Sequence, residues 1–391
     1  MIPRTIKKEL LAAASEYPVV TITGPRQSGK TTLARMVFPD REYISLEEPD
    51  IRSAVQSDPR GFLNHLQHGG IIDEIQRVPE LLSYIQGIVD KKTIPGFFIL
   101  TGSHQPALHH AVSQSLAGRT ALLKLLPFSY DEISHYRSSF TPFELLVRGM
   151  YPAIHERNLQ SARFYNSYYQ TYIERDLRAL IELKDLRSFQ IFMKLLAGRI
   201  GSVVNYTSLG NDTGVSSTTI KSWISVLKAS YVIIELNPFF ANIGKRLIKS
   251  PKIYFTDTGL ACYLANISSA AQLFRDPLRG GLFENFVILE FIKSACNQGV
   301  YPDFYFYRDS HGNEVDLVIK TEDVLHPVEI KSAQTFTHDF VKGIIRFDRV
   351  FPGSKQNGLV LYAGDQRLSA SGITVLNPFQ NNFWIDFFSK S

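Results

Sequence analysis

The residues best suited to chemistry are gathered in Gly24-Pro25-Arg26-Gln27-Ser28-Gly29-Lys30-Thr31, which has the spacing G-x-x-x-x-G-K-[ST]. A turn of successive backbone N–H groups that opens into a helix N-terminus can hold anionic oxygens. Lys30 can reach the outer phosphates of a nucleotide and the Thr31 hydroxyl can hold Mg²⁺, while Gly24 and Gly29 keep side chains out of the phosphate path. With Thr32 leading on into the helix, residues 24–32 are the expected phosphate site.

Two adjacent acids, Asp73 and Glu74, close the apolar run Gly70-Ile71-Ile72. Asp73 can position Mg²⁺ directly or through water, and Glu74 is placed to polarise an attacking water. Downstream, Phe97-Phe98-Ile99-Leu100 ends in Thr101-Gly102-Ser103. The Ser103 hydroxyl could sense a terminal phosphate or orient the water; alternatively it caps a helix. Arg119 follows a helix end marked by Gly118. It could neutralise transition-state charge in its own or a neighbouring subunit's site, or it forms a salt bridge at the domain edge.

A third constellation lies in the last third of the chain. Glu329 and Lys331 are two residues apart on one strand and share a face. Asp316 can approach them from the neighbouring strand, and Glu284, on the preceding helix, can complete the set. Two carboxylates and an ammonium so placed could bind one or two Mg²⁺ ions and activate water against a phosphodiester.

The elements that must position these residues follow from hydrophobic spacing. A helix over residues 2–14 precedes a strand over 18–23, then come the loop and its helix. Strands at 43–46, 69–76, 97–100 and 121–126 alternate with helices over 50–66 and 78–89, which indicates a mainly parallel, doubly wound α/β sheet. His109 and His110 lie in a helix with nothing nearby to complete a metal site. Helices over 165–180, 189–199 and 216–229, with a short one from 206, lead to strands at 231–236 and 252–255 joined through the basic stretch 245–249. Three helices followed by a hairpin is a winged-helix pattern. Its third helix could enter a DNA groove, but its polar face offers only Ser217, Thr218, Lys221 and Lys228, so a structural or protein-docking role is the alternative. In the tail, a helix over 277–292, strands at 304–308, 312–319 and 328–331, a helix over 338–349 and strands at 362–365 and 373–376 complete the pattern.

The composition sets the frame. At 391 residues, two or three domains are expected, here 1–135, 136–265 and 266–391. No apolar run of membrane-spanning length and no signal-peptide pattern is present, so a cytoplasmic location without membrane insertion is expected. Two cysteines allow neither a disulfide framework nor a cysteine-built zinc site. A net charge of +5 permits nucleic-acid contact without arguing for it.

The phosphate loop, the Asp73-Glu74 strand end, Leu100-Thr101-Gly102-Ser103 and Leu116-Ala117-Gly118-Arg119 together resemble a widespread prokaryotic family of AAA+ P-loop ATPases, and the resemblance runs over essentially the whole chain. It implies that Asp73 is the magnesium-associated acid, Glu74 the hydrolytic base, Ser103 a sensor residue and Arg119 an arginine finger. The ordered set Glu284, Asp316, Glu329 and Lys331 resembles the restriction-endonuclease-like PD-(D/E)XK core. That implies Asp316 and Glu329 as metal ligands, Lys331 as a water- or transition-state-orienting base and Glu284 as the helix-borne acid; domains of this fold can also use such residues structurally, or engage DNA without cutting it. The expected function is Mg²⁺-dependent ATP hydrolysis coupled to a module directed at DNA or protein, with self-assembly or a partner protein as further expectations. An ATP-regulated protein-binding scaffold and a nucleotide-gated nuclease are the rivals.

Overall fold

A computed structural model describes residues 1–103, 115–136, 139–177, 185–240 and 250–389. The histidine pair 109–110 and the basic stretch 245–249 lie outside the described residues. The chain divides into two compact units. One is Met1–Phe128 with Ala229–Tyr231 and Cys296–Gly299; the other is Ser129–Lys228 with Val232–Ala295 and Val300–Ser391.

In the first unit, α1 (Lys7–Glu16) leads to β1 (Val19–Gly24), α2 (Lys30–Val37), β2 (Glu42–Ser45), α3 (Pro49–Ser57), α4 (Pro59–His65), β3 (Gly70–Asp73), α5 (Leu81–Val89), β4 (Phe98–Ser103) and β5 (Thr120–Lys124). The sheet order is β2-β3-β4-β1-β5, and every pairing in it is parallel. Alternation along each strand feeds two cores. Ile72 and Leu100 pack on one face with Leu81, Leu82 and Ile85, whereas Ile71 and Ile99 pack on the other with Ile6, Leu10 and Leu33. The helical stretch expected over 50–66 is two helices. Asp58 accepts the Gly61 N–H at 2.8 Å, and Pro59 starts the second helix, so the chain must leave helical geometry between them.

The second unit carries α6 (Tyr130–Ser134), α7 (Leu186–Ala197), α8 (Tyr206–Thr213), α9 (Ser217–Ala229), β6 (Ile233–Pro238) and β7 (Lys252–Phe255). Asn205 caps α8 by accepting the Ser208 N–H at 2.9 Å, and Gly214, at φ 74°, supplies the left-handed turn into α9. Then come α10 (Arg279–Gln298), β8 (Asp303–Arg308), β9 (Glu314–Thr321), β10 (Val324–Lys331), α11 (Lys342–Val350), β11 (Leu359–Tyr362), β12 (Leu368–Ala370) and β13 (Ile373–Leu376). One eight-stranded sheet, β12-β13-β11-β10-β9-β8-β6-β7, holds all of these strands. The hairpin β6–β7 is therefore an edge of the C-terminal sheet, joined through parallel pairing of Asn237 and Pro238 with Tyr305 and Phe306. The strand expected at 362–365 runs instead over Leu359–Tyr362, beside β10, because the apolar residues that fill the core precede Tyr362.

Candidate nucleotide site and C-terminal acid cluster

The parallel registers place the first-unit candidates at one edge. Gly24 is level with Ser103, and Ser45 with Asp73, so the loop after β1, the acids after β3 and Ser103 all lie at the carboxyl ends of the strands, where open α/β sheets bind ligands. The loop backbone is irregular: Gly24, Gln27 and Gly29 have φ of 148°, 63° and 94°. Gly29 precedes α2 without a side-chain cap, which leaves the first helical N–H groups available for an anion. The need for glycine at position 24 differs from the expected one. A Cβ there would meet the Leu125 carbonyl oxygen at 2.1 Å, so its role is close packing against the chain after β5.

Lys30 is buried and donates from Nζ to the carbonyls of Gly24 and Pro25 at 3.1 and 2.9 Å. Burial pulls its ammonium down to about 8, against the opposing pull of Glu74 and Asp73. Ser28 Oγ is buried with no hydrogen-bond partner among the described residues. A cationic amine, an orphaned hydroxyl and an uncapped helix start fit a nucleotide's phosphates. Pro25, Arg26 and Thr32 complete the loop and the first helical turn.

Asp73, 6% exposed, gathers three hydroxyls. Thr31 Oγ1 donates to its two oxygens at 2.9 and 3.0 Å, Tyr43 OH donates at 2.9 Å, and Thr101 Oγ1 donates in a short contact. Burial and the Asp73 charge push the Tyr43 phenol up to about 12, so it remains a donor. Thr31 and Asp73 thus present adjacent oxygens of the kind Mg²⁺ takes. A cavity of about 550 Å³ adjoins Thr31, Thr32 and Tyr43.

Glu74 sits in the left-handed region, φ 56° and ψ 46°, at the head of a 3₁₀ turn, Ile75–Arg77. This conformation is costly for a residue with a Cβ. The Arg77 N–H bonds to the Glu74 carbonyl at 2.9 Å and Ile75 is fully buried, which together hold the turn. Ser103 Oγ lies 3.4 Å from Glu74 Oε2 and accepts from Gln76 Nε2 at 2.9 Å. The helix that Ser103 might cap lies outside the described residues.

Arg119 is elsewhere. Its carbonyl accepts the Val19 N–H at the start of β1, about 16 Å along the strand from the phosphate loop. Its guanidinium grips Asp90 through Nε and through Nη2, the latter at 3.0 Å. Of the alternatives expected for Arg119, the salt bridge is the one present, at the end of the strands away from its own phosphate loop.

In the second unit, Asp316, Glu329 and Lys331 do converge. Lys331 Nζ lies 2.9 Å from Asp316 and 2.6 Å from Glu329, and the Ile330 N–H donates to Asp316 at 2.8 Å. Glu284 joins through a residue absent from the expected set: the Lys252 ammonium, 2% exposed, lies 3.0 Å from Glu284 and also pairs with Glu314. Tyr254 OH donates to Glu284 as well. Burial pushes Glu284 and Glu329 up, while Lys331 and Lys252 outweigh burial to hold Asp316 low. Among the described residues no group of three or more His, Cys, Asp or Glu is disposed to hold a metal ion. Asp316 and Glu329 thus share the Lys331 ammonium, and Glu284 shares the Lys252 ammonium with Glu314.

Comparisons with known proteins match three segments of the chain. A model described as an AAA domain matches residues 16–134, and two described as domains of unknown function, DUF8612 and DUF4143, match 141–271 and 279–381. The uncharacterized proteins Rv2008c of Mycobacterium tuberculosis and Mb2031c of Mycobacterium bovis are each 32% identical over 334 residues, covering 85% of this chain and 74% of theirs. The chain belongs to their family. Its first unit contains an AAA-type P-loop ATPase domain. Among solved structures, the Walker-type ATPase PABY2304 of Pyrococcus abyssi is similar at 16% identity and TM-score 0.42, over 68% of this chain and 96% of that one. AMPPCP-bound DnaA from Aquifex aeolicus is similar at 15% identity and TM-score 0.31, over 57% and 86%. Both are distant likenesses.

Three residues near the phosphate loop were given no role from the sequence. Arg4 donates to the carbonyls of Ser28 and Leu126 at 2.8 and 2.7 Å and lies over the Phe128 ring, so it fixes the loop from behind. Tyr43 and Thr101 orient Asp73. A polar residue within an apolar strand was the one available hint for Thr101. Among the described residues no helix is long and apolar enough to cross a membrane.

Proposed function

We propose that the first domain hydrolyses ATP to ADP and phosphate with Mg²⁺ as cofactor. The observation that carries this reading is the meeting of Thr31, Asp73 and Glu74 at the mouth of the phosphate loop. Backbone N–H groups within residues 26–32 hold the phosphates and Lys30 exchanges its loop carbonyls for phosphate oxygens. Thr31 and Asp73 would hold Mg²⁺, and the chemistry it would supply there is neutralisation of charge on the transferred phosphoryl group. Glu74 takes the proton of the attacking water, and Ser103 fixes that carboxylate. Arg119 acts only across a subunit boundary in this scheme, because it is distant from its own loop. Steady-state hydrolysis by wild type and by Glu74→Gln tests the reading: turnover lost in the variant supports it, and equally negligible rates favour a nucleotide-regulated scaffold. Mixing Arg119→Ala with Lys30→Ala chains tests the arginine, since restored turnover requires an Arg119 supplied in trans.

The remainder of the chain is read as the module to which ATP turnover is coupled, docking to DNA or to a protein. The order α10, β8–β9–β10, α11, β11, with Asp316 beside Glu329-x-Lys331, supports a restriction-endonuclease-like fold, and α7–α8–α9 followed by β6–β7 supports a winged-helix middle. Docking and cleavage are the two readings of the Asp316, Glu329 and Lys331 cluster. Incubation of single-stranded and duplex DNA with wild type and Asp316→Ala, in Mg²⁺ or Mn²⁺, decides between them: cutting by wild type alone establishes a nuclease.

A further inference from the structure

The turn after β3 holds one more polar group with an unusual set of partners. Gln76 is the middle residue of the turn Ile75–Arg77. Its Nε2 donates to Ser103 Oγ at 2.9 Å and, in a short contact, to Glu74 Oε2. Only the NH₂ end of a carboxamide can serve a carboxylate, so the partners themselves assign the amide orientation. The other end, Oε1, is buried with no hydrogen-bond partner among the described residues. A buried acceptor left unpaired costs roughly 1–3 kcal/mol, a cost that a hydrogen-bonding ligand removes.

We propose that Gln76 is a second water-holding residue of the ATPase site. Its Nε2 fixes the Glu74 carboxylate against Ser103, and its Oε1 accepts one hydrogen of the attacking water while Glu74 accepts the other. The inference rests on the hydrolytic reading above. A single acceptor leaves a water free to rotate about one hydrogen bond; two acceptors aim its lone pair, and such positioning is a large part of phosphoryl-transfer catalysis. In the step itself, the water oxygen bonds to the γ-phosphorus as the bond to the β–γ bridging oxygen breaks, and ADP leaves with that electron pair. The water's proton passes to Glu74 and from there to the phosphate product, so the balance is ATP plus water to ADP plus phosphate. The hydrogen shared with Gln76 stays on the oxygen.

The test uses the full chain and three readouts: phosphate release, equilibrium binding of ATP, and melting temperature. Gln76→Met keeps the length of the side chain and loses both polar ends. It is expected to lower kcat about 100-fold while ATP affinity stays within about threefold of wild type. Gln76→Glu keeps the shape but replaces the donor with a second carboxylate beside Glu74, and should be slowed similarly, which guards against a folding defect peculiar to Met. Because both residues act on the same water, Glu74→Gln with Gln76→Met should be within about threefold of Glu74→Gln alone. Wild-type turnover with unimpaired Gln76→Met overturns the inference, as do losses that multiply in the double variant or a fall in ATP affinity that matches the fall in rate. A wild type that binds ATP without hydrolysing it removes the hydrolytic reading itself, and this inference with it.

Discussion

Thr31 Oγ1 stands 2.9 and 3.0 Å from the two carboxylate oxygens of Asp73, which makes one oxygen-rich pair from the start of α2 and the end of β3. Neither residue needs to move far to share a divalent ion, and the ion would replace the hydroxyl-to-carboxylate hydrogen bond. Thr31→Val removes the hydroxyl with little change of volume. ATP affinity measured in Mg²⁺ should weaken about tenfold, or ~1.4 kcal/mol, while affinity measured in EDTA should stay at the wild-type value. Equal losses in both buffers would place Thr31 in the packing of the loop instead.

Arg4 supports the same loop from the opposite side. At 7% exposure its guanidinium holds two carbonyls, one in the loop and one after β5. Arg4→Met fills comparable space but leaves both carbonyls without that donor, which should cost about 2 kcal/mol of stability. Denaturant unfolding measures that loss. ATP should also bind more weakly, because Ser28 loses its anchor.

The contrast between these two predictions marks what was legible in the chain. Residues 24–31 could be read because the contacts that build the loop are local: Lys30 reaches carbonyls five and six residues before it. Asp73 and Glu74 were readable because an apolar strand must end where the acids begin. Arg4 is bonded to Ser28 and Leu126, 24 and 122 residues away, and Lys252 to Glu284, 32 residues away. No periodicity or spacing encodes such pairings; they exist only once the elements have packed. Arg119 illustrates the same limit from the other side. Its glycine-marked helix end was visible, but only the β1–β5 register shows at which end of the sheet it lies.

Asp131 carries a pH dependence that does not involve nucleotide. Burial, followed by the nearby Glu290 charge, pushes its carboxyl up to about 7, with Glu132 adding to the rise and His135 opposing it. The folded chain therefore binds this proton more tightly than the unfolded chain does. The associated stability is present below the ordinary carboxylate range and is lost as pH rises through about 7. Asp131→Asn keeps a neutral side chain at every pH. Its melting temperature should exceed wild type at pH 8, and the gap should narrow as the pH is lowered to 5. A gap that persists unchanged at pH 5 would assign the effect to something other than ionisation.

Lys252 is the most consequential single cation of the second unit. It reaches the acid cluster from β7, one of the two edge strands of the eight, and pairs with Glu284 on α10 and Glu314 on β9. Asn285, next to Glu284, makes two further bonds to Phe255 at 2.8 and 2.9 Å, so β7 and α10 are joined by an ionic and a neutral contact side by side. Removal of one partner from a buried ion pair leaves the other charge unpaired in a poor solvent for it. Lys252→Met should therefore cost about 3–5 kcal/mol, read by denaturant unfolding. Glu284→Gln in the same chain removes the stranded charge and should recover a large part of that loss, since Tyr254 can still donate to the remaining side-chain oxygen. If Lys252 serves only to fill space, Lys252→Met will be nearly neutral and the second substitution will recover nothing.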